Sequence, residues 1–241
     1  MSAIDDAVTR LRQCAKPVMF ETCVENAPYA GVGTCFLVKL GPQLFLVTAR
    51  HVVEGESLDR LLVFPNEESN ESIPFSAGFT VANRDPGDPD CSDFVFVKVH
   101  LGNLRLADQS RTHAMDLDKA SDSWRTAPFD HRFVLFGYPS QSREFDYDRF
   151  KIVSTQRFLV GRFAKMSSAS YCYELDIEDF NGVDDLNGLS GSPVVSWPRM
   201  IGDHFHPSFC GMVLRGTRTS GKVHFLDAAV LRKALEFARD N

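Results

Sequence analysis

The apolar positions of this chain change period twice, and those changes outline its elements. At the start, Ile4, Val8 and Leu11 recur at helical spacing, with Asp5 and Asp6 early and Arg10 and Arg12 late. That polarity suits a helix dipole and predicts a short helix over residues 1–16, closed before Pro17. From Val18 the pattern becomes short apolar runs punctuated by turn residues. Runs at Val18–Val24, Gly33–Lys39, Gln43–Thr48, Leu61–Phe64, Phe79–Ala82 and Phe94–Val99 read as six strands, the second and third a hairpin around Leu40-Gly41-Pro42. Residues 103–130 are mixed and polar, with Ser110, Asp116, Asp118, Asp122 and Ser123, and read as a linker. A second set of about six runs follows: Phe133–Phe136, Lys151–Arg162, Ser170–Leu175, Pro193–Ser196, Phe209–Leu214 and Lys222–Phe225. Helical spacing returns over residues 227–241, with Leu231, Leu235 and Phe237 expected on the buried face.

The pattern predicts an all-β protein with a first β-barrel over 17–102, a second over 131–226, and a helix at each end. Strands this continuously apolar suit closed barrels better than a half-exposed sheet. The 241 residues include 20 phenylalanines against 5 tyrosines and 2 tryptophans, a supply suited to packing between sheets. A formal net charge of -6 argues against nucleic acid as a partner. No apolar run approaches the roughly 20 residues needed to span a bilayer, and the first residues lack the apolar segment of a signal peptide. The six cysteines include no C-x-x-C pair. The expectation is a cytoplasmic protein with reduced thiols and no membrane partner.

One stretch stands apart chemically, Asn187-Gly188-Leu189-Ser190-Gly191-Ser192-Pro193 followed by Val194-Val195. A serine on a glycine-rich turn leading into a strand can expose its hydroxyl, and nearby amides can converge on an oxyanion. Glycine, serine and proline also cluster in ordinary turns, so the reading depends on partners. His51 lies just past the apolar run Phe45–Ala49, and Asp93 opens the run Phe94–Val97. Each alone is a common loop or turn residue. Together they give the order His, Asp, Ser, with His51 and Asp93 on the first half and Ser190 on the second.

In these three motifs the chain resembles the chymotrypsin-like serine protease superfamily, over roughly residues 18–237. Thr48-Ala49-Arg50-His51 is similar to the family's histidine motif, Asp93 with its apolar strand to the aspartate motif, and Gly188 to Pro193 to the serine motif. Gly31 to Phe36, Phe133 to Pro139 and Gly211-Met212-Val213 look closest to the disulfide-free, bacterial HtrA-like branch. The resemblance implies a double six-stranded antiparallel barrel and a serine endopeptidase. Ser190 would be nucleophile, His51 base, Asp93 orienting acid, and the amides of Gly188 and Ser190 the oxyanion hole. It implies a protein or peptide substrate, no cofactor and no metal. A regulatory protein partner is left unidentified. Two departures matter. Leu189 stands where trypsin-type zymogens carry an aspartate, which argues against activation by N-terminal insertion. No cysteine follows His51, so the family's histidine-loop disulfide is absent. About fifteen residues follow the second barrel, which leaves no room for the C-terminal peptide-binding domain of the HtrA branch.

Specificity is less determined. Between Met166 and Pro198 there are six acids and no lysine or arginine. Asp184 lies six positions before Ser190, where trypsin-like members bind lysine or arginine. The expected pocket comprises Asp184, Asp185, Leu214, Arg215 and Gly216, with Asp176 an alternative acid and a solvated acidic loop the competing reading. A calcium loop over Asp176–Asp185 fails on register, since Gly182 is not where an EF-hand needs its glycine. Asp203, His204, His206, Cys210 and His224 could gather round zinc, but the segment reads first as a hairpin tip. A catalytically inactive, protease-like binding module and an esterase using the same triad stay open.

Overall fold

A computed structural model describes residues 3–25, 28–66, 69, 71–80, 87–100, 102, 104, 109, 112–119, 123–146, 151–196, 200–201, 204–205 and 208–240. The chain is mostly β with few helices. Helix α1 (Ala3–Cys14) precedes β1 (Ala15–Glu21), β2 (Tyr29–Leu40) and β3 (Gln43–Thr48). A single helical turn, α2 (Arg50–Val53), leads to β4 (Leu61–Leu62), β5 (Phe75–Thr80), β6 (Val95–Val99) and β7 (Met115–Asp116). The second half holds β8 (Arg132–Gly137), a hairpin of β9 (Arg143–Asp146) and β10 (Lys151–Ser154), then β11 (Arg157–Met166) and β12 (Cys172–Asp179). It continues with β13 (Pro193–Ser196), β14 (Met200–Ile201), β15 (His204–Phe205), β16 (Ser208–Thr217) and β17 (Lys222–Asp227), and ends in α3 (Ala228–Asp240).

The second half closes into a six-stranded antiparallel barrel in the order β8-β11-β12-β17-β16-β13. The first half is a curled sheet in the order β4-β1-β2-β3-β6-β5, with β7 added parallel to β2. Numbered within each half, the strands wind the same way: 1-2-3-6-5, with 4 beside 1. Among the described residues no ladder joins β4 to β5. Across that gap the Ile73 N–H donates to the Val63 carbonyl at 2.7 Å.

Among the described residues three apolar clusters hold these layers, the smallest made of Ala15, Val134, Phe136 and Tyr138. One fills the second barrel, where Trp124 packs edge-on against Phe133 and Tyr173. The largest runs through the first sheet and across the seam, taking in Met212 and Leu214 of β16 and Leu231, Leu235 and Ala238 of α3. The seam between the halves is therefore core, and a group placed there inherits its rigidity.

Several expectations need correction. Residues 103–130 were expected as a linker, yet Met115 and Leu117 pack in the first cluster and Trp124 in the second. Lys151–Arg162 forms two strands rather than one, because the chain bends at Thr155-Gln156, where the Thr155 N–H donates to Ser142 O. Phe237 was expected to be buried but is 72% exposed. The buried face of α3 runs through Leu231, Leu235 and Ala238, and a residue two past Leu235 falls on the opposite side. The expected strand Phe79–Ala82 extends partly beyond the described residues. No helix among them is long and apolar enough to cross a membrane.

Candidate active site

Strands β3 and β6 are ladder neighbours, with Thr48 opposite Val95. His51 follows β3 by three residues and Asp93 precedes β6 by two, so this pairing brings residues 42 positions apart into contact. Two backbone bonds fix the arrangement. Arg50 N–H donates to Asp93 O at 3.3 Å, and His51 N–H donates to Asp93 Oδ1 at 3.0 Å. The second carboxylate oxygen, Oδ2, then lies 2.6 Å from His51 Nδ1. An Asp93 carboxylate gripping both the amide and the ring favours the Nδ1–H tautomer and turns Nε2 outward. The Asp93 hydrogen bond holds the His51 pKa above its ordinary value of 6.5; burial opposes this, Glu54 adds to it and Arg215 subtracts.

Ser190 arrives from the other half. Gly188 has a left-handed φ of 88° and Gly191 one of 85°, turns that a side chain resists. Gly191 is further constrained by space: a Cβ there would lie 1.9 Å from Thr34 O. Thr34, in β2, is the clamp between the halves. Its hydroxyl donates to Gly188 O at 2.8 Å and accepts the Tyr138 N–H at 2.9 Å, while its own N–H donates to Ser190 O at 3.1 Å. No catalytic motif in the sequence marks Thr34, because its partners lie more than a hundred residues away. Leu189 is buried in the core of the second barrel.

His51 and Ser190 line one cleft of about 530 Å³, with Val32, Glu54, Leu186, Gly188, Arg215 and Gly216 also in its walls. Within it the two are not joined. Ser190 Oγ donates to Leu214 O at 2.8 Å, and among the described residues His51 makes no hydrogen bond to Ser190. The Ser190 N–H likewise donates to no acceptor among them. Arg215 is paired with Asp90, a nearly buried carboxylate three residues before Asp93.

Of the expected pocket residues, Arg215 and Gly216 line this cleft and Leu214 supplies the carbonyl that holds Ser190. Asp184 and Asp185 lie on the exposed approach to the serine turn, outside the cleft lining, where both amides donate to Gln141 Oε1. The Asp185 carboxylate is used by Asn187, whose backbone and side-chain nitrogens donate to it at 3.0 and 2.6 Å. Asp176 is exposed on β12, 3.7 Å from Lys222 Nζ. Asp203 and His206 lie outside the described residues. Among those described, no group of three or more His, Cys, Asp and Glu could hold a metal ion. None of the six cysteines is joined in a disulfide.

No protein-family model matches the chain, and no curated protein matches it. The assignment of chemistry therefore rests on the geometry of the cleft and on the residues themselves.

Proposed function

We propose that the chain is a serine endopeptidase of the chymotrypsin-like superfamily, and that its first sheet is the counterpart of the closed second barrel. The same winding order in both halves supports the double-barrel reading. The observation that carries the activity is the His51–Asp93 pair, in which the Asp93 carboxylate meets both the His51 N–H and the His51 ring, with His51 opening on the same cleft as Ser190. Such a pair fills the base and orienting roles that a serine nucleophile needs.

In this reading Ser190 Oγ bonds to the substrate carbonyl carbon as its proton passes to His51 Nε2. The tetrahedral oxyanion is held by the amides of Gly188 and Ser190, and one such donor is worth about 3–4 kcal/mol in comparable sites. The C–N bond then breaks as His51 returns the proton to the leaving amine. Water, deprotonated by His51, attacks the acyl-enzyme and frees Ser190. Because Asp184 and Asp185 do not line the cleft, the proposal does not seat a substrate lysine or arginine on them; the acids of the cleft wall are Glu54 and Glu56. Six cysteines without a disulfide fit a reducing, cytoplasmic setting.

A fluorophosphonate probe tests the activity. Labelling of wild type that is lost in Ser190→Ala supports it, and well-folded wild type that stays unlabelled refutes it. The second reading, a protease-like binding module, is favoured by the Ser190–Leu214 contact, which leaves the triad open. Parallel turnover of a peptide and its ester separates a peptidase from an esterase using the same groups.

A further inference from the structure

Arg215 takes no part in the proposed chemistry, yet it stands in the wall of the cleft. The β16–β17 ladder passes from Val213↔Phe225 directly to Arg215↔His224, so Leu214 is the extra residue of a β-bulge. A bulge re-aims the side chains beside it. Here Leu214 is fully buried, whereas the Arg215 side chain is 54% exposed. One guanidinium nitrogen, Nη1, donates to Asp90 Oδ1. Asp90 belongs to the short turn before Asp93, so the pair ties one half to the other beside the His51–Asp93 contact. The charge of Arg215 reaches His51, where it opposes the rise in pKa. Asp90 is nearly buried, and a buried carboxylate holds its partner firmly, since separation would strand its charge. Among the described residues the Nε and Nη2 donors of Arg215 meet no acceptor.

We infer that Arg215 is a specificity residue that seats an acidic side chain of the substrate, with Asp90 as its anchor. This rests on the protease reading above and names the substrate class: peptides with an aspartate or glutamate close to the scissile bond. The Nε–Nη2 edge of a guanidinium matches the two oxygens of a carboxylate. Anchoring by Asp90 removes much of the ordering cost that a free arginine meets on binding. Because Asp90 balances the charge of the arginine, discrimination comes from short-range hydrogen bonds rather than from a long-range field. Reach sets the place of the acid. The carbonyl of the preceding residue, Leu214, lies 2.8 Å from Ser190 Oγ. Neighbouring Cα atoms are about 3.8 Å apart and an extended residue spans about 3.3 Å, so the carboxylate falls within about three residues of the bond cut. The rest of the wall narrows the choice. Its other charged side chains, His51 aside, are Glu54 and Glu56. Glu56 lies 3.5 Å from Arg60, and Glu54 has no ion-pair partner among the described residues. A substrate acid facing these two is repelled, so it is accepted beside Arg215 and not elsewhere in the cleft.

The test uses the full chain and pairs of peptides, capped at both ends, that differ only as aspartate against asparagine. The pair is placed in turn at each position within about three residues of the cleaved bond. The expected result is one position at which kcat/KM favours aspartate at least about tenfold. Arg215→Gln alone would strand a buried carboxylate, so the deciding variant is Arg215→Gln with Asp90→Asn, an uncharged pair. There the ratio of aspartate to asparagine should fall to about one. Each ratio is taken within one protein, so a change in overall rate cancels. Arg215→Lys keeps the charge but not the fork, and should lower the ratio part of the way. Absence of a favoured position in wild type would overturn the inference while leaving the peptidase reading intact. So would a ratio undiminished in the double variant or in Arg215→Lys. A preference shown only by uncapped peptides would give Arg215 a chain terminus instead, and overturn the side-chain assignment. Wild type that takes the fluorophosphonate label yet cleaves neither peptide overturns it too. Wild type that neither labels nor cleaves removes the peptidase reading itself, and the inference with it.

Discussion

Replacing Thr34 with valine tests whether one hydroxyl couples the two halves. Valine has nearly the same shape, and Thr34 is fully buried, so packing changes little. What disappears is a hydroxyl that donates to Gly188 O at 2.8 Å and accepts the Tyr138 N–H at 2.9 Å. Losing two buried hydrogen bonds, at about 1–2 kcal/mol each, predicts a loss of roughly 2–4 kcal/mol. For a chain of this size that lowers the melting temperature by roughly 5–15 °C. Urea unfolding should show a lower midpoint at unchanged slope. Thr34→Ser keeps the hydroxyl and loses one methyl, so it should retain most of the stability. Fluorophosphonate labelling adds a second readout, because Gly188 sets the serine turn: the rate should fall in Thr34→Val and largely recover in Thr34→Ser. A valine variant within about 0.5 kcal/mol of wild type would refute the clamp, since surface-like tolerance is incompatible with two buried bonds.

If the proposed peptidase reading holds, activity should fall as pH drops through the His51 pKa, at a midpoint above 6.5. Glu54→Gln should lower that midpoint and Arg215→Ala should raise it, both read from the pH profile of kcat/KM. The stability sign is the reverse of the activity sign. Because folding raises the His51 pKa, the His51–Asp93 contribution to stability is fully present below the unfolded value of about 6.5. It is lost as pH rises through the folded value, and Asp93→Asn should flatten that dependence in urea titrations. Gly191→Ala should cost more than about 3 kcal/mol or prevent folding, since a left-handed backbone and a backbone clash combine there. Gly182→Ala is the control: its φ is 75°, but a Cβ there meets nothing within 4 Å. It should lose only about 1–2 kcal/mol.

Local pattern made much of the fold legible, because strand alternation and helix spacing are short-range properties. The runs at Gln43–Thr48 and Pro193–Ser196 emerge as strands with the same ends. Misreadings arise where contacts across the chain decide. Trp124 sits in a polar stretch but is drawn into the second barrel by Phe133, Tyr173 and Phe225. Phe237 is apolar yet exposed, since helical phase outranks hydrophobicity once Leu231 and Leu235 have chosen the face. The candidate site divides the same way. His51 and Asp93 come together through a single strand pairing, which apolar runs foreshadow. The path of the 184–187 loop depends on Gln141 and Asn187 side chains, which a six-residue offset from Ser190 cannot encode.

The two halves of the site differ in how firmly the backbone commits them. His51 and Asp93 are brought together by ladder geometry and one main-chain bond, and the Asp93 carboxylate is held by the His51 N–H as well as by the ring. Ser190 has its main chain pinned by Thr34 and Gly191, but its hydroxyl is placed by one hydrogen bond to a bulge carbonyl. Rotation about one side-chain bond moves Oγ without disturbing the core on either side. The variable part of the site is thus confined to a hydroxyl and the acceptors that compete for it. A β-bulge is a small irregularity, yet moving it by one residue would return Leu214 to the ladder. Ser190 Oγ would then lose its present acceptor, while the His51–Asp93 contact, which does not involve β16, would stay.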